Sequence, residues 1–221
     1  MKNLVATAVR PPKTNPASAD TRQRLIDAAA ILFADHGFED VTVREICKAS
    51  HANVAAVNYH FGDKAGLYRA VVMFAIQVMQ ETNEMSQRAG EGLTPEDQIR
   101  GFVRVFVGRI VADNPNTWIH RLMAREMQQP TEALDLVMTQ VVQPRLEYLC
   151  SVVGAIMNLP ATDSRVRRSV GSLQSQCLMA TRTIPPALEK SFGPAWRDLD
   201  TAIAHIADFS LGGMKAIAAA K

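Results

Sequence analysis

Asn58 stands in a run, Val54-Ala55-Ala56-Val57-Asn58-Tyr59, whose side chains can read the edge of a base pair. A carboxamide pairs bidentately with adenine N6 and N7, and alanine methyls suit the methyl of thymine. Small residues also let a helix sit deep in a major groove. Around this run, from Thr42 to Lys64, lies a fringe of polar residues suited to phosphates and base edges. Such residues need a helix to carry them and a second element to aim it. Thr42 followed three positions later by Glu45 is a capping box, which predicts a helix from Val43 with Ile46 and Ala49 on its buried side. Asn53 is a second N-cap and predicts a helix with Val54, Val57 and Phe61 inward and Ala55, Ala56, Asn58 and Tyr59 outward. Val54, at the edge of the inward stripe, is also a candidate groove contact. Two short helices joined by a tight turn make a helix-turn-helix, and DNA is the first partner to consider.

The neighbouring residues complete a small head. Asp20-Thr21 can cap a helix through His36, with Leu25, Ala29, Leu32 and Phe33 at core spacing and Gly37 as its left-handed stop. Asp63 caps a further helix with Lys64 in its first turn. The order helix, G-F-x-x-V-T-V-R-E-I, turn, V-N-Y-H-F-G-D-K-x-G-L-Y resembles the N-terminal DNA-binding domain of the TetR family of bacterial transcriptional regulators, from about Thr21 to Tyr68. The resemblance implies phosphate contacts by Thr42 and Arg44, by the Tyr59 hydroxyl, and by Lys64 with the N-terminus of its helix. Tyr59 as a half-buried packing residue is the alternative, and His60 is expected to pack against the first helix. Farther on, Arg125-Glu126-Met127-Gln128-Gln129-Pro130 and Val142-Gln143-Pro144 are similar to a subgroup linked to antibiotic tolerance. Two departures stand out. His51 occupies the turn position where the family usually has Gly, which predicts φ > 0 on a residue that tolerates it with some strain. Ala55, Ala56 and Asn58 replace the more usual Gly, Thr and Tyr, which shifts base preference.

The 221 residues are 48% hydrophobic, enough for a substantial core in one or two domains, and the long apolar-periodic stretches predict an all-α fold. Net charge is only +2, so DNA affinity must come from where charges are placed. Met1 to Gly66 holds eight Lys/Arg against seven Asp/Glu, but the first 24 residues hold five cations and one acid. Cys47, Cys150 and Cys177 are far apart and lie on apolar helix faces, so buried thiols are favoured over a redox role for Cys177. With no run of about 18 apolar residues and no signal-peptide core, a cytoplasmic protein without a membrane span is expected.

Residues 1–19, with Pro11, Pro12 and Pro16, read as a flexible basic arm; a leader is favoured over an arm in a minor groove. Residues 20–66 form the DNA-binding domain and 67–221 a helical ligand-binding and dimerisation domain. There the pattern predicts helices from Asp63 to about Gln87, Pro95 to Ala112, Thr117 to Gln128, Thr131 to Leu159 with a kink at Pro144, Asp163 to about Ile184, and Trp196 to Ala219. Nine helices result.

The larger domain suggests two sites. Phe102, Phe106, Trp118, Met123, Met127 and Met179 could give an adaptable apolar lining, although such stripes are more often plain core. Glu126 falls on the same face as Leu122 and Met123; an ion pair with Arg121 or Arg125 is favoured over a ligand anchor. In the final two helices, Val166, Val170, Leu173 and Cys177 form one stripe and Leu199, Ile203, Ile206, Ser210, Gly213 and Ile217 another, the pattern of a bundle seam. With the TetR resemblance, these stripes are expected to form a four-helix homodimer interface. The overall expectation is a repressor that binds a palindromic operator as a dimer and is released by a small molecule, apolar or drug-like, with no cofactor or metal. An architectural DNA protein is the alternative. An enzyme is disfavoured, because no G-x-x-x-x-G-K-[ST], H-E-x-x-H or G-x-S-x-G occurs and the five histidines show no ligand spacing.

Overall fold

A computed structural model of the chain describes residues 16–111, 117–180 and 198–220, and all of its regular structure is helical. The helices are α1 (Pro16–His36), α2 (Val43–Ala49), α3 (Val54–Phe61), α4 (Lys64–Gly90), α5 (Pro95–Val111), α6 (Trp118–Gln128), α7 (Ala133–Val137), α8 (Gln143–Met157), α9 (Ser164–Ala180) and α10 (Leu199–Ala219). A π-helical turn, Met138–Val142, joins α7 to α8, so the described residues hold nine helices if that interrupted rod counts once. The expected stop at Asn114-Pro115, the helix end near Ile184, Pro185-Pro186 and the start at Trp196 lie outside the described residues, as does the arm before Pro16. Among the described residues no helix is long and apolar enough to cross a membrane. The chain divides into two compact units, up to Val71 and from Val72.

In the first unit α1 begins at Pro16, four residues before the expected cap at Asp20. Proline suits a first turn, where its missing N–H costs nothing. Leu25, Ala29 and Phe33 are buried, and Phe33 meets Tyr68 edge-on at 5.0 Å while Phe38 lies 4.9 Å from the same ring. Gly37 closes α1 at φ 89°, its N–H donating to the Phe33 carbonyl at 2.9 Å. Gly66 has a different reason to lack a side chain: a Cβ there would sit 1.9 Å from the Phe61 carbonyl oxygen.

In the second unit α5, α8, α9 and α10 surround one core that includes Ile99, Phe102, Leu149, Leu173 and Ile206. The expected kink at Pro144 takes another form. Proline at the start of α8 has no N–H for the Gln140 carbonyl, and the preceding turn relaxes to a π-helix. Two amides of α4 bond carbonyls of this turn: Gln80 Nε2 donates to Gln140 O at 3.3 Å and Asn83 Nδ2 to Val141 O at 3.1 Å. α8 ends at Asn158 with φ 52°, a left-handed cap that asparagine tolerates well.

The seam predicted for the last two helices needs correction. Val166, Val170, Leu173 and Cys177 of α9, and Ile203, Ile206 and Ser210 of α10, are buried within the single chain. A side chain enclosed in its own core has no surface left for a second copy. Burial of Ile203, Ile206, Leu211 and Met214 fixes this rotation of α10, and exposed ion pairs to α5 accompany it: Arg100 with Asp208 at 2.7 Å, Arg104 with Asp200 at 3.7 Å and Lys215 with Glu96 at 3.4 Å. Of the predicted stripe, Leu199 and Gly213 are half-buried and Ile217 is exposed. The outward face instead carries Leu178 and Met179 on α9 and Phe209, 64% exposed, on α10.

Candidate nucleic-acid interface and ligand-domain residues

The helix-turn-helix is built by short-range hydrogen bonds. Thr42 Oγ1 accepts from Glu45 N at 3.3 Å, and Glu45 Oε2 accepts from Thr42 N at 2.8 Å and from the Thr42 hydroxyl at 2.7 Å. The Thr42 hydroxyl bond, followed by the backbone bond, holds the Glu45 carboxyl below its usual range. Asn53 Oδ1 accepts from Ala56 N at 2.8 Å and fixes the first turn of α3. Between the caps His51 sits at φ 52°, the left-handed geometry its position implies.

Arg24, which the sequence reading counted only as charge, locks this turn from α1. Its Nη1 donates to the Ser50 carbonyl at 2.9 Å, its Nη2 to Thr21 Oγ1 at 3.2 Å, and its Nε pairs with Asp20 at 3.1 Å. The i, i+4 spacing of Asp20 and Arg24 was the available signal; the partner 26 residues away was not.

The predicted DNA contacts separate into free and engaged groups. Val57 is buried under α3, while Ala55, Asn58 and Tyr59 are exposed, Tyr59 at 81%, and Ala56 is half-buried. Tyr59 is thus no packing residue. Val54 is 45% exposed and joins the outer face, because the capping turn lifts it off the core. Ala49 is likewise exposed, and Cys47 takes its place in the core. Arg44 is exposed, whereas the Thr42 hydroxyl is committed to its cap. Lys64 Nζ donates to the Glu39 carbonyl at 3.3 Å and lies 4.5 Å from the Phe38 ring centre, tying the start of α4 to the loop after α1. His60 is half-buried and its ring meets Tyr59 at 4.9 Å and Phe61 at 5.9 Å.

In the second unit the predicted lining does not come together. Phe102 and Phe106 stack at 5.3 Å within the core, and Trp118 stacks on Phe74 at 6.2 Å. Met123 is half-buried, Arg121 is exposed and Met127 is 69% exposed. Met179 lies elsewhere, beside Ser175, Gln176, His205 and Ile206 around a groove of about 320 Å³. Glu126 is 2% exposed, as its position on the apolar face implies, and accepts from both the N–H and the hydroxyl of Thr131 at 3.1 Å. That bond closes the chain reversal after α6, a role that hydrophobic periodicity does not reveal.

Arg145, one residue after Pro144, is a further charged group of this unit that the apolar stripes do not single out. Its guanidinium lies 5.1 Å from the Phe106 ring centre, and its Nε is shielded from solvent with no hydrogen-bond partner. Burial lowers its pKa to about 10. His120 is pushed down to about 4 by burial and then by the Arg145 charge, and burial pushes the Cys177 thiol up to about 12. A cation in the helical run of Leu146, Leu149 and Val153 was the signal.

Comparison with known proteins agrees with this architecture. Residues 25–71 match the family described as bacterial regulatory proteins, tetR family. Residues 95–214, more than half of the chain, match the C-terminal domain of the HTH-type transcriptional dual regulator CecR. The chain is 28% identical over 153 residues to the dual regulator CecR of Shigella flexneri, covering 66% of this chain and 68% of that protein. It is 35% identical over 69 residues to the transcriptional repressor AcnR of Corynebacterium efficiens, which covers 31% of this chain and 37% of that protein. A tetR-family regulatory protein from Rhodococcus RHA1 superposes with a TM-score of 0.67 at 17% identity, over 90% of this chain and 97% of that one, a likeness of fold. The chain belongs to the TetR family of bacterial transcriptional regulators, in the group that carries the CecR C-terminal domain.

Proposed function

We propose that this DNA-binding regulator occupies a palindromic operator as a homodimer, represses by blocking promoter access, and is released by a small molecule held in its second unit. The observation that carries the reading is the outward face of α3, where Ala55, Asn58 and Tyr59 stand exposed on a helix capped at Asn53. Ala55, Ala56 and Asn58 read bases, with Val54 at the groove edge; Arg44 and Tyr59 hold phosphates and set register. Thr42 and Lys64 act one step back, by holding α2 and the start of α4 where those contacts are made.

Two-fold symmetry supplies the rest. A dimer presents two recognition helices to successive major grooves about 34–36 Å apart, and so prefers an inverted repeat. The exposed apolar side chains Leu178, Met179, Phe209 and Ile217 support a dimer face on the outer side of α9 and α10, rotated from the buried stripes. An effector needs only a higher affinity for the conformation that misfits the operator. Repressor is the reading adopted, AcnR being named a repressor and CecR a dual regulator.

Selection of binding sites from a pool of random duplexes tests this. An enriched inverted repeat is expected, and Asn58→Ala should cost about 1–3 kcal/mol on it with preference relaxed at one base pair per half-site. Enrichment of no repeat, or an equal loss on random DNA, would remove the base-reading role. The architectural alternative expects a steep salt dependence that is the same on palindromic and random DNA.

A further inference from the structure

Arg145 is a cation without an anion. Its side chain is half-buried, its Nε is shielded from solvent with no hydrogen-bond partner, no ion pair of Arg145 is found among the described residues, and its ring contact is with Phe106. Two groups that feel its charge are neutral near pH 7: His120, held unprotonated, and Cys177, held as a thiol. A cation in such surroundings is costly unless an opposite charge joins it.

Its neighbours are also unsatisfied. The Tyr148 hydroxyl and Gln174 Nε2 are shielded from solvent and have no hydrogen-bond partner. Tyr148 is three residues beyond Arg145 on α8, and Gln174 three residues before Cys177 on α9, so each lies about one turn away on the same face. The two helices are joined by the short connection 158–163 and pack together, an antiparallel hairpin. That register sets Tyr148 level with Gln174 when Arg145 is level with Cys177. Buried groups with hydrogen-bond capacity left over call for a partner, and three of them around one cation suit an anionic one.

We propose that Arg145 anchors a half-buried site for the carboxylate of an amphipathic effector, with the Tyr148 hydroxyl and the Gln174 amide as further donors and the Phe106 ring beside the guanidinium. A planar guanidinium fork matches a carboxylate, and the apolar walls favour a singly charged head over a more heavily hydrated phosphate dianion. The site deepens the effector reading above and rests on it, so binding is measured apart from DNA release.

The probes are 2-naphthoate and decanoate, each beside its neutral amide, titrated calorimetrically into the full-length chain and into Arg145→Met and Arg145→Lys. At least one carboxylate should bind, its amide about tenfold or more weakly, and Arg145→Met should lose the same factor for the acid and nothing for the amide, with Arg145→Lys between. Thermal melting gives a readout that needs no ligand. Arg145→Met should melt higher than the parent if the cation has no internal partner. A lower melting temperature, equal binding of acid and amide, or no binding of either acid would overturn the site. Binding at Arg145 without release of operator DNA upholds the site and removes ligand release. Release by the neutral amides, undiminished in Arg145→Met, does the reverse.

Discussion

In the N-terminal unit most of the bonds that set geometry span three residues, as in Thr42 with Glu45 and Asn53 with Ala56. The second unit has short bonds of its own, as in Thr94 with Asp97 and Glu126 with Thr131, but the bonds that join its helices run from Gln176 to Ser210, Asn83 to Val141 and Gln80 to Gln140, at separations of 34, 58 and 60 residues. Both units are helical and well packed, so the contrast lies in where the information sits. The first is assembled from caps and turns that a short window of sequence contains. The second is assembled from helix faces, and which face turns inward depends on every other helix.

The widest test of that contrast is the stripe on α10. Ile206→Glu places an unpaired charge in the core and should cost about 3–5 kcal/mol, unfolding the second unit instead of merely parting a dimer. Phe209→Glu, three residues on and exposed, should leave the melting temperature nearly unchanged while sedimentation shows a monomer. A folded monomer from Ile206→Glu would restore the seam predicted from sequence. The error there has a physical source. α10 carries small or apolar residues around most of its circumference, so periodicity defines a stripe without saying whether it meets the chain's own core or another copy. Burial against α5, α8 and α9 settles the rotation, and the three exposed ion pairs to α5 that go with it are visible only once the helices are packed.

Close backbone approach gives the next comparison, with one glycine in each unit. A Cβ at Gly66 would stand 1.9 Å from the Phe61 carbonyl oxygen, and one at Gly154 would stand 2.8 Å from that of Leu159. Gly66→Ala should cost about 3 kcal/mol or more and Gly154→Ala about 1–2 kcal/mol, measured by urea unfolding. Equal losses would mean that the chain before α4 moves more easily than the caps suggest. The G-D-K-x-G-L-Y motif made Gly66 visible in the sequence, and Gly62 before it at φ 81° closes α3. Nothing near Gly154 announces its contact. Similarly, Arg24 and Lys64 were legible as charges but not as ties to the Ser50 and Glu39 carbonyls, because both bonds cross the fold.

Acid should separate the units next. His120 has a folded pKa of about 4 against an ordinary 6.5, through burial first and the Arg145 charge second. Between those values the unfolded chain binds a proton that the native state refuses. The contribution of neutral His120 is therefore complete above about pH 6.5 and drains as pH falls towards about 4, by an amount on the order of 2 kcal/mol. In the first unit the Glu45 cap runs on a carboxylate whose pKa is lowered from 4.5, so its contribution persists until the pH drops below that range. Urea unfolding at about pH 7.5 and about pH 4.5 should show a loss that His120→Gln abolishes. A parent-like acid sensitivity in His120→Gln would assign the loss to other groups.

The smallest effect concerns the two non-glycine residues held at φ 52°, His51 in the helix-turn-helix and Asn158 after α8. Left-handed backbone crowds a Cβ, and the strain is worth about 1–2 kcal/mol for an ordinary side chain. Asparagine visits this region most readily, its short polar side chain bonding locally, so less strain is stored at Asn158. Glycine relieves the crowding but adds freedom to the unfolded chain, a cost of roughly 0.5–1 kcal/mol that opposes the gain. His51→Gly should therefore be neutral or stabilising by up to about 1 kcal/mol, and Asn158→Gly neutral or slightly destabilising. The Arg24 bond to the Ser50 carbonyl holds the turn by its backbone, so replacing the His51 side chain leaves that tie intact. Chemical denaturation of both variants against the parent decides the order. A clear loss in His51→Gly would mean that the imidazole contributes to the turn more than its backbone strain subtracts, and the departure from glycine would then be a gain in stability for this head.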